Sequence, residues 1–149
     1  MNNLAYNILR ARKWRVIILT NIELMEYWIE SSDDDYGVMK DLYNSKRYSW
    51  CLFVGHLVLE KLIKAIYAKN NPANPYAAKK HDLLYLADKS NIELDDDKKI
   101  KLDLITTFNM NARYEDYKKD FYNKCTKEYT DNQLIVIEEV RTWLKTQLM

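Results

Sequence analysis

The stretch Tyr48–Asn70, YSWCLFVGHLVLEKLIKAIYAKN, decides the fold class. Trp50, Cys51, Phe53, Val54, Leu57, Val58, Leu62, Ala65 and Ile66 cover more than one face of a helix. A helix apolar over so wide an arc needs neighbours on several sides. Its polar residues recur one helical turn apart as His56, Glu60 and Lys64, with Lys61 alongside. Glu60 one turn before Lys64 is the favourable order for an ion pair, worth about 0.3–0.5 kcal/mol if exposed. Gly55 lies inside this helix, where glycine costs about 0.5–1 kcal/mol against alanine. The sequence therefore predicts close approach of a neighbouring helix or a second subunit at Gly55.

Working outward, Asn71-Pro72-Ala73-Asn74-Pro75 ends that helix and holds both prolines of the 149-residue chain, which has only two glycines. Average usage would give about 18 Gly and Pro together. Glycine-rich phosphate loops are thereby excluded, and turn-rich all-β folds are disfavoured. Upstream, Trp28–Ser45 reads as a helix with Val38, Met39 and Leu42 facing a core and Gly37 inside it. Ser31 or Ser32 with Asp33-Asp34-Asp35 suggests acid near a helix start or on an exposed face. The triple Asp lacks the spacing and closing Glu of an EF-hand.

Downstream, His81–Lys89 reads as a short helix with Leu83, Leu84, Leu86 and Ala87 inward, and Asp95–Phe108 as another with a stripe of Ile100, Leu104 and Phe108. Asn109–Lys127 has no clean period and reads as an ordered, tyrosine-rich, basic connector with at most short helical turns. The last helix is expected from Thr130, where Thr130-Asp131-Asn132-Gln133 has the capping-box pattern. Leu134, Ile137, Val140, Leu144 and Leu148 form its stripe. The expected architecture is all-α: an antiparallel up-and-down bundle of four to five main helices over residues 28–149, with a helical N-terminal extension at 1–27. In that extension Leu4, Ile8 and Ala11 have helical spacing, while Val16–Leu19 fits helix or strand. Arg10, Arg12, Lys13 and Arg15 around Trp14 read as a solvated face or a docking arm.

With 48% apolar residues the chain can build one core without disulfide or metal. It shows no secretory leader and no apolar run long enough for a membrane span, so a soluble cytoplasmic protein with reduced thiols is expected. A net charge of +1 argues against a whole-surface nucleic-acid binder but leaves room for a local patch. Two histidines and two cysteines give no metal-ligand spacing, so neither metal nor cofactor is expected. Cys51 reads as core packing. Cys125, between Lys124 and Lys127, reads as an incidental surface residue or a somewhat reactive thiol, because nearby cations lower a thiol pKa.

The segment Asn111-Ala112-Arg113-Tyr114-Glu115-Asp116-Tyr117-Lys118 carries the chemistry best suited to a ligand. Arg113 can grip a carboxylate or phosphate in two places. Tyr114 and Tyr117 can stack on a base or sugar, with Lys118, Lys119 and Lys124 adding charge. The plainer reading pairs Arg113 with an acid inside the bundle and packs Tyr114 over a helix end.

In order, these pieces resemble the HEPN domain, a nucleotide-binding helical bundle, from about Trp28 to Leu148. Trp28 opens the family's first helix and Tyr48-Ser49-Trp50-Cys51-Leu52-Phe53 its second. Glu60-Lys61-Leu62-Ile63-Lys64-Ala65 is similar to its Glu-Lys-x-x-Lys-Ala signature, and His81-Asp82-Leu83 to its His-x-Leu. Ala112-Arg113-Tyr114 resembles its Ala-Arg-Tyr-Pro, the subtype associated with minimal nucleotidyltransferases, with Glu115 replacing the proline. Glu139–Leu144 fits its last helix.

The resemblance implies a bundle that is often a homodimer and often pairs with a separate minimal nucleotidyltransferase in a two-gene, toxin–antitoxin-like module. Arg113, Tyr114, Lys61, Lys64, Tyr117 and Lys118 become candidates for contacting a nucleotide (ATP or GTP) or that partner. His56, Glu60 and His81 become structural polar residues. Some family members cleave RNA without metal, using an Arg and a His four to six residues apart, the His as acid/base and the Arg as charge stabiliser. Here no His follows Arg113, and eight residues separate Arg47 from His56. A non-catalytic module is therefore the leading expectation. A diverged RNA-cleaving toxin and a purely structural scaffold remain alternatives.

Overall fold

The structure, a computed structural model, describes residues 19–149, in which six helices follow one another without strands. They are α1 (Asn21–Asn44), α2 (Tyr48–Asn70), α3 (Leu83–Lys89), α4 (Asp96–Arg113), α5 (Glu115–Lys124) and α6 (Lys127–Leu148). The expectations placed on residues 1–18, including the basic cluster around Trp14, lie outside the described residues. The all-α bundle is as the sequence predicts.

Helix α2 is the central element, packed against α1, α4, α6 and the short α3. Its Cys51, Leu52, Leu59, Leu62 and Ile63 are fully buried and meet Leu83, Leu102, Ile105, Ile137 and Leu144 from the surrounding helices. Helix α1 runs antiparallel to α2, so the Ser32 hydroxyl donates to the carbonyl of Val58 at 2.8 Å while Met39 reaches Gly55. Gly55 is where three helices crowd. A Cβ there would stand 2.7 Å from Ile137 Cδ1 of α6 and 3.2 Å from Met39 Sδ of α1. The close approach predicted at this glycine is made within the chain. Gly37 faces open space, with nothing within 4 Å of an added Cβ.

Several expectations are corrected by the structure. Helix α1 starts seven residues before Trp28, at Asn21, where Thr20 and Glu23 form a capping box, and Leu19 and Leu24 pack on Ala68. The triple Asp lies in the middle of α1, with Asp33 and Asp34 on an exposed face as the second of the two readings has it, rather than near the helix start. It ties the bundle together: Asp33 meets Arg141 and Lys145 of α6 at 3.2 and 2.9 Å, and Asp35 meets Lys61 of α2 at 2.6 Å. Of the expected stripe, Met39 is buried and Val38 exposed. Ile100 and Leu104 likewise face solvent, and α4 turns Leu102, Ile105, Phe108 and Ala112 inward.

The region read as a connector is mostly helix. Helix α4 continues to Arg113, and α5 follows after the single residue Tyr114. Phe121 of α5 stacks on Phe108 of α4 with centroids 5.7 Å apart, and this burial stabilises a segment of weak period. The last helix starts at Lys127, capped by Thr126 through the amide of Tyr129. Thr130 is not its cap. It lies one turn inside, fully buried, with its hydroxyl donating to the Thr126 carbonyl at 2.7 Å.

Cys125 is buried rather than at the surface, and burial pushes its thiol up to about 12, against a smaller opposing pull from Lys124. The Cys51 thiol is likewise pushed up to about 12, by burial and by Cys125 close by. No helix among the described residues is long and apolar enough to cross a membrane.

Candidate functional site

The polar stripe of α2 is inside the bundle: His56, Glu60 and Lys64 are 0, 5 and 9% exposed. It is buried because α1, the end of the Pro72–Pro75 loop and α4 all close over that side of the helix. Glu60 is the hub. One carboxylate oxygen accepts from Lys64 Nζ at 2.8 Å, and the other accepts from His81 Nδ1 at 2.9 Å. Lys64 Nζ also lies 5.3 Å from the Trp28 ring centre, a favourable placement for a cation. Burial alone would raise the Glu60 carboxyl. The hydrogen bonds from Lys64 and His81 outweigh it and hold the group below its ordinary 4.5.

His56 extends this network to α4. Its Nε2 lies 2.7 Å from the carbonyl oxygen of His81. A carbonyl can only accept, so Nε2 carries the proton and Nδ1 is free to accept. The Asn109 amide nitrogen stands 3.4 Å from that Nδ1 and donates to it. Burial, the largest influence, holds the His56 imidazole below its ordinary 6.5, consistent with this neutral tautomer. The Asn109 side-chain oxygen in turn accepts from Arg113, whose Nε also donates to the Asn109 carbonyl at 3.0 Å. A continuous chain of donors thus runs from Arg113 through Asn109 and His56 to the backbone of His81, while the His81 ring closes on Glu60.

Arg113 ends α4 at its C-terminal turn, where the helix dipole favours a cation. It is exposed, with its guanidinium 5.7 Å from the Phe53 ring centre and 5.5 Å from that of Tyr114. Among the described residues it meets no acid, contrary to the plainer reading, and an amide fixes one edge of the guanidinium. Tyr114 caps both α4 and α5 in an extended conformation (φ −78°, ψ 130°) and is 55% exposed. Glu115, where the family pattern has proline, is the first residue of α5. Proline is favoured there because its missing N–H costs nothing, and an acid is favoured there by the dipole.

Beyond Tyr114, Tyr117 and Lys118 are exposed on α5, and Lys118 Nζ lies 5.7 Å from the Trp50 ring centre. Trp50 meets Phe53 edge to face at 5.6 Å, so Arg113, Phe53, Trp50 and Lys118 form one cationic–aromatic face. The candidates therefore divide. Arg113, Tyr114 and Lys118 share this face, and Tyr117 is exposed in the first turn of α5. Lys64 is held inside by Glu60, and Lys61 is held by Asp35 at 2.6 Å. Sequence reading missed Asn109 and the Trp50–Phe53 wall. Asn109 is one turn before Arg113, a relation visible only if α4 runs past Phe108. Among the described residues no group of three or more His, Cys, Asp or Glu side chains could hold a metal ion.

An all-α bundle whose central helix carries a buried Glu–Lys–His network, with an Arg-Tyr pair at the next helix junction, defines a class of small helical modules. The chain belongs to the HEPN domain family: the family model described as "HEPN domain" matches residues 25–147. No curated protein and no solved structure matches it.

Proposed function

We propose that this HEPN protein is a non-catalytic module that binds a nucleotide, ATP or GTP, on the face carrying Arg113, Tyr114, Tyr117 and Lys118. It dimerises and pairs with a minimal nucleotidyltransferase, as the family resemblance implies. The observation that carries the nucleotide reading is the state of Arg113. The Asn109 amide and carbonyl hold one edge of its guanidinium in a fixed direction, no carboxylate among the described residues neutralises it, and rings flank it. A guanidinium so held is set up to meet a phosphate with little further loss of freedom. The flanking tyrosines supply π-faces for a base. The buried network beneath supports this face: His56, with both ring nitrogens engaged, braces Asn109, which braces Arg113.

Calorimetric titration of ATP and GTP into wild type and Arg113→Ala tests the reading. Binding by wild type that weakens in the variant supports it. Equal heats, or none for either protein, refute the nucleotide half.

A further inference from the structure

Helix α6 turns Ile137, Val140 and Leu144 to the core, and its opposite side is an open groove of about 850 Å³. Tyr43 of α1 with Leu134, Ile135 and Trp143 of α6 gives the groove an apolar floor, and Ile135 is 59% exposed. The charged residues lining it are Asp131, Glu138 and Glu139, without a base. Lys127 and Lys101 pair with Asp131 and Glu139 from outside the groove, and Glu138 makes no ion pair among the described residues. A second copy of this face would set acids against acids. A cationic occupant with an apolar side fits it better.

The chain itself carries such a segment. Residues 1–18, which precede the described part, hold Arg10, Arg12, Lys13 and Arg15 and no acid, although the whole chain has a net charge of only +1. Leu4, Ile8 and Ala11 recur among them at helical spacing. The stretch they lead into is the converse: Asn21–Met39 has six acids and no base. Asp33 and Asp35 of that set are engaged by α6 and α2. Glu26 and Glu30 are exposed one turn apart, and Asp33, one turn further on, meets α6, so this row lies on the side of α1 turned to α6.

The reach fits as well. The segment joins the bundle at a fixed point, because Leu19 is 6% exposed against Ala68 and its amide donates to the Tyr76 hydroxyl at 3.3 Å. From the start of α1 to Asp33 is about 18 Å of helix, and Asp33 meets Arg141 and Lys145, on either side of Trp143. A helix as long as residues 1–18 spans about 27 Å, enough to fold back along α1 and pass Trp143. On that course Arg10 to Arg15 run beside Glu26 and Glu30, and Ile8 and Leu4 reach the Trp143 end of the groove.

We propose that residues 1–18 dock antiparallel to α1 as an amphipathic helix, pairing their cations with Glu26 and Glu30 and seating Leu4 and Ile8 against the Trp143 end of the α6 groove. The docked segment covers exposed apolar surface and withholds its own cations from other anions. The contact is independent of the Arg113 face.

A nitroxide on the full chain tests it. Asn3→Cys places the label near the start of the segment, and Cys51 and Cys125, being buried, stay unlabelled in the native protein. The amides of Glu139, Thr142 and Trp143 should lose most of their intensity to the label and recover it when the nitroxide is reduced. Arg10→Glu with Arg12→Glu should abolish that loss, Glu26→Lys with Glu30→Lys should do the same, and the four changes together should bring it back. The dispersion of the amide spectrum shows that each variant is folded. Amides of α6 that keep their intensity, or losses confined to α3 or α5, would overturn the proposal. So would charge-reversed variants that broaden as the unreversed chain does. If isotope-labelled chains without nitroxide show the same loss when mixed with nitroxide-bearing chains, the segment sits on a second copy and the proposal falls.

Discussion

Removing the Glu60 carboxylate is the sharpest perturbation of the buried network. In Glu60→Ala, the Lys64 ammonium, 9% exposed, loses the one anion it meets among the described residues, and His81 loses the acceptor for Nδ1. Breaking a buried pair from one side costs about 3–5 kcal/mol, because the remaining charge is stranded. Lys64 retains some solvent access and the Trp28 ring, so the lower end, about 3 kcal/mol, is expected. For a chain of this size that corresponds to a Tm about 6–12 °C lower.

Urea unfolding at pH 7 measures the loss directly. The same substitution in a Lys64→Met background should cost at least about 2 kcal/mol less, since no ammonium is left stranded. A loss for Glu60→Ala under about 1 kcal/mol would refute the reasoning. So would an identical loss in the two backgrounds, because the cost would then not come from the pair.

The other predictions concern packing, thiols and protons. Gly55→Leu should destabilise by at least about 1–3 kcal/mol through overpacking against Ile137 and Met39, whereas Gly37→Ala, with open space around it, should stabilise by about 0.5–1 kcal/mol; thermal melts of both variants read this out. Cys51 and Cys125 should resist thiol reagents at pH 8 in the native protein and both react once it is unfolded, because burial pushes each thiol up to about 12.

Acid should weaken the fold in two stages. His56 has a folded pKa below its unfolded 6.5, so the unfolded chain binds the extra proton and stability falls as pH drops below 6.5, by at most about 1.4 kcal/mol per pH unit. Glu60 has a folded pKa below its unfolded 4.5; its contribution is complete above 4.5 and is lost as pH falls through the folded value. Urea midpoints followed from pH 7 to pH 3 check both stages, and His56→Gln should flatten the upper one.

The bounds of α2 were legible because its apolar arc, its Pro-Asn exit and its length all agree. The partners of its polar stripe were not. His56, Glu60 and Lys64 have the same spacing whether a helix lies over them or water does, and only tertiary packing separates the two cases. The α4–α5 junction was hidden for a related reason. Asn109–Lys124 is polar and tyrosine-rich, and it becomes helical because Ala112 and Phe121 are buried against α2 and α4, not because its period announces it. The Thr130 pattern was misleading since Thr126 offers the same hydroxyl one turn earlier, where the chain enters the helix. Arg113 and Tyr114 stood out as candidate site residues from their chemistry alone, but the brace that aims Arg113 depends on Asn109, and that depends on where α4 ends.

The proposed nucleotide site lies on the Arg113 face and α5. Photocrosslinking with an azido-adenosine triphosphate tests it most directly, with the adduct mapped by mass spectrometry. An adduct is expected within residues 48–53 or 113–124, suppressed by excess ATP and diminished by Arg113→Ala. An adduct confined to other helices, or labelling that excess ATP does not suppress, would contradict it.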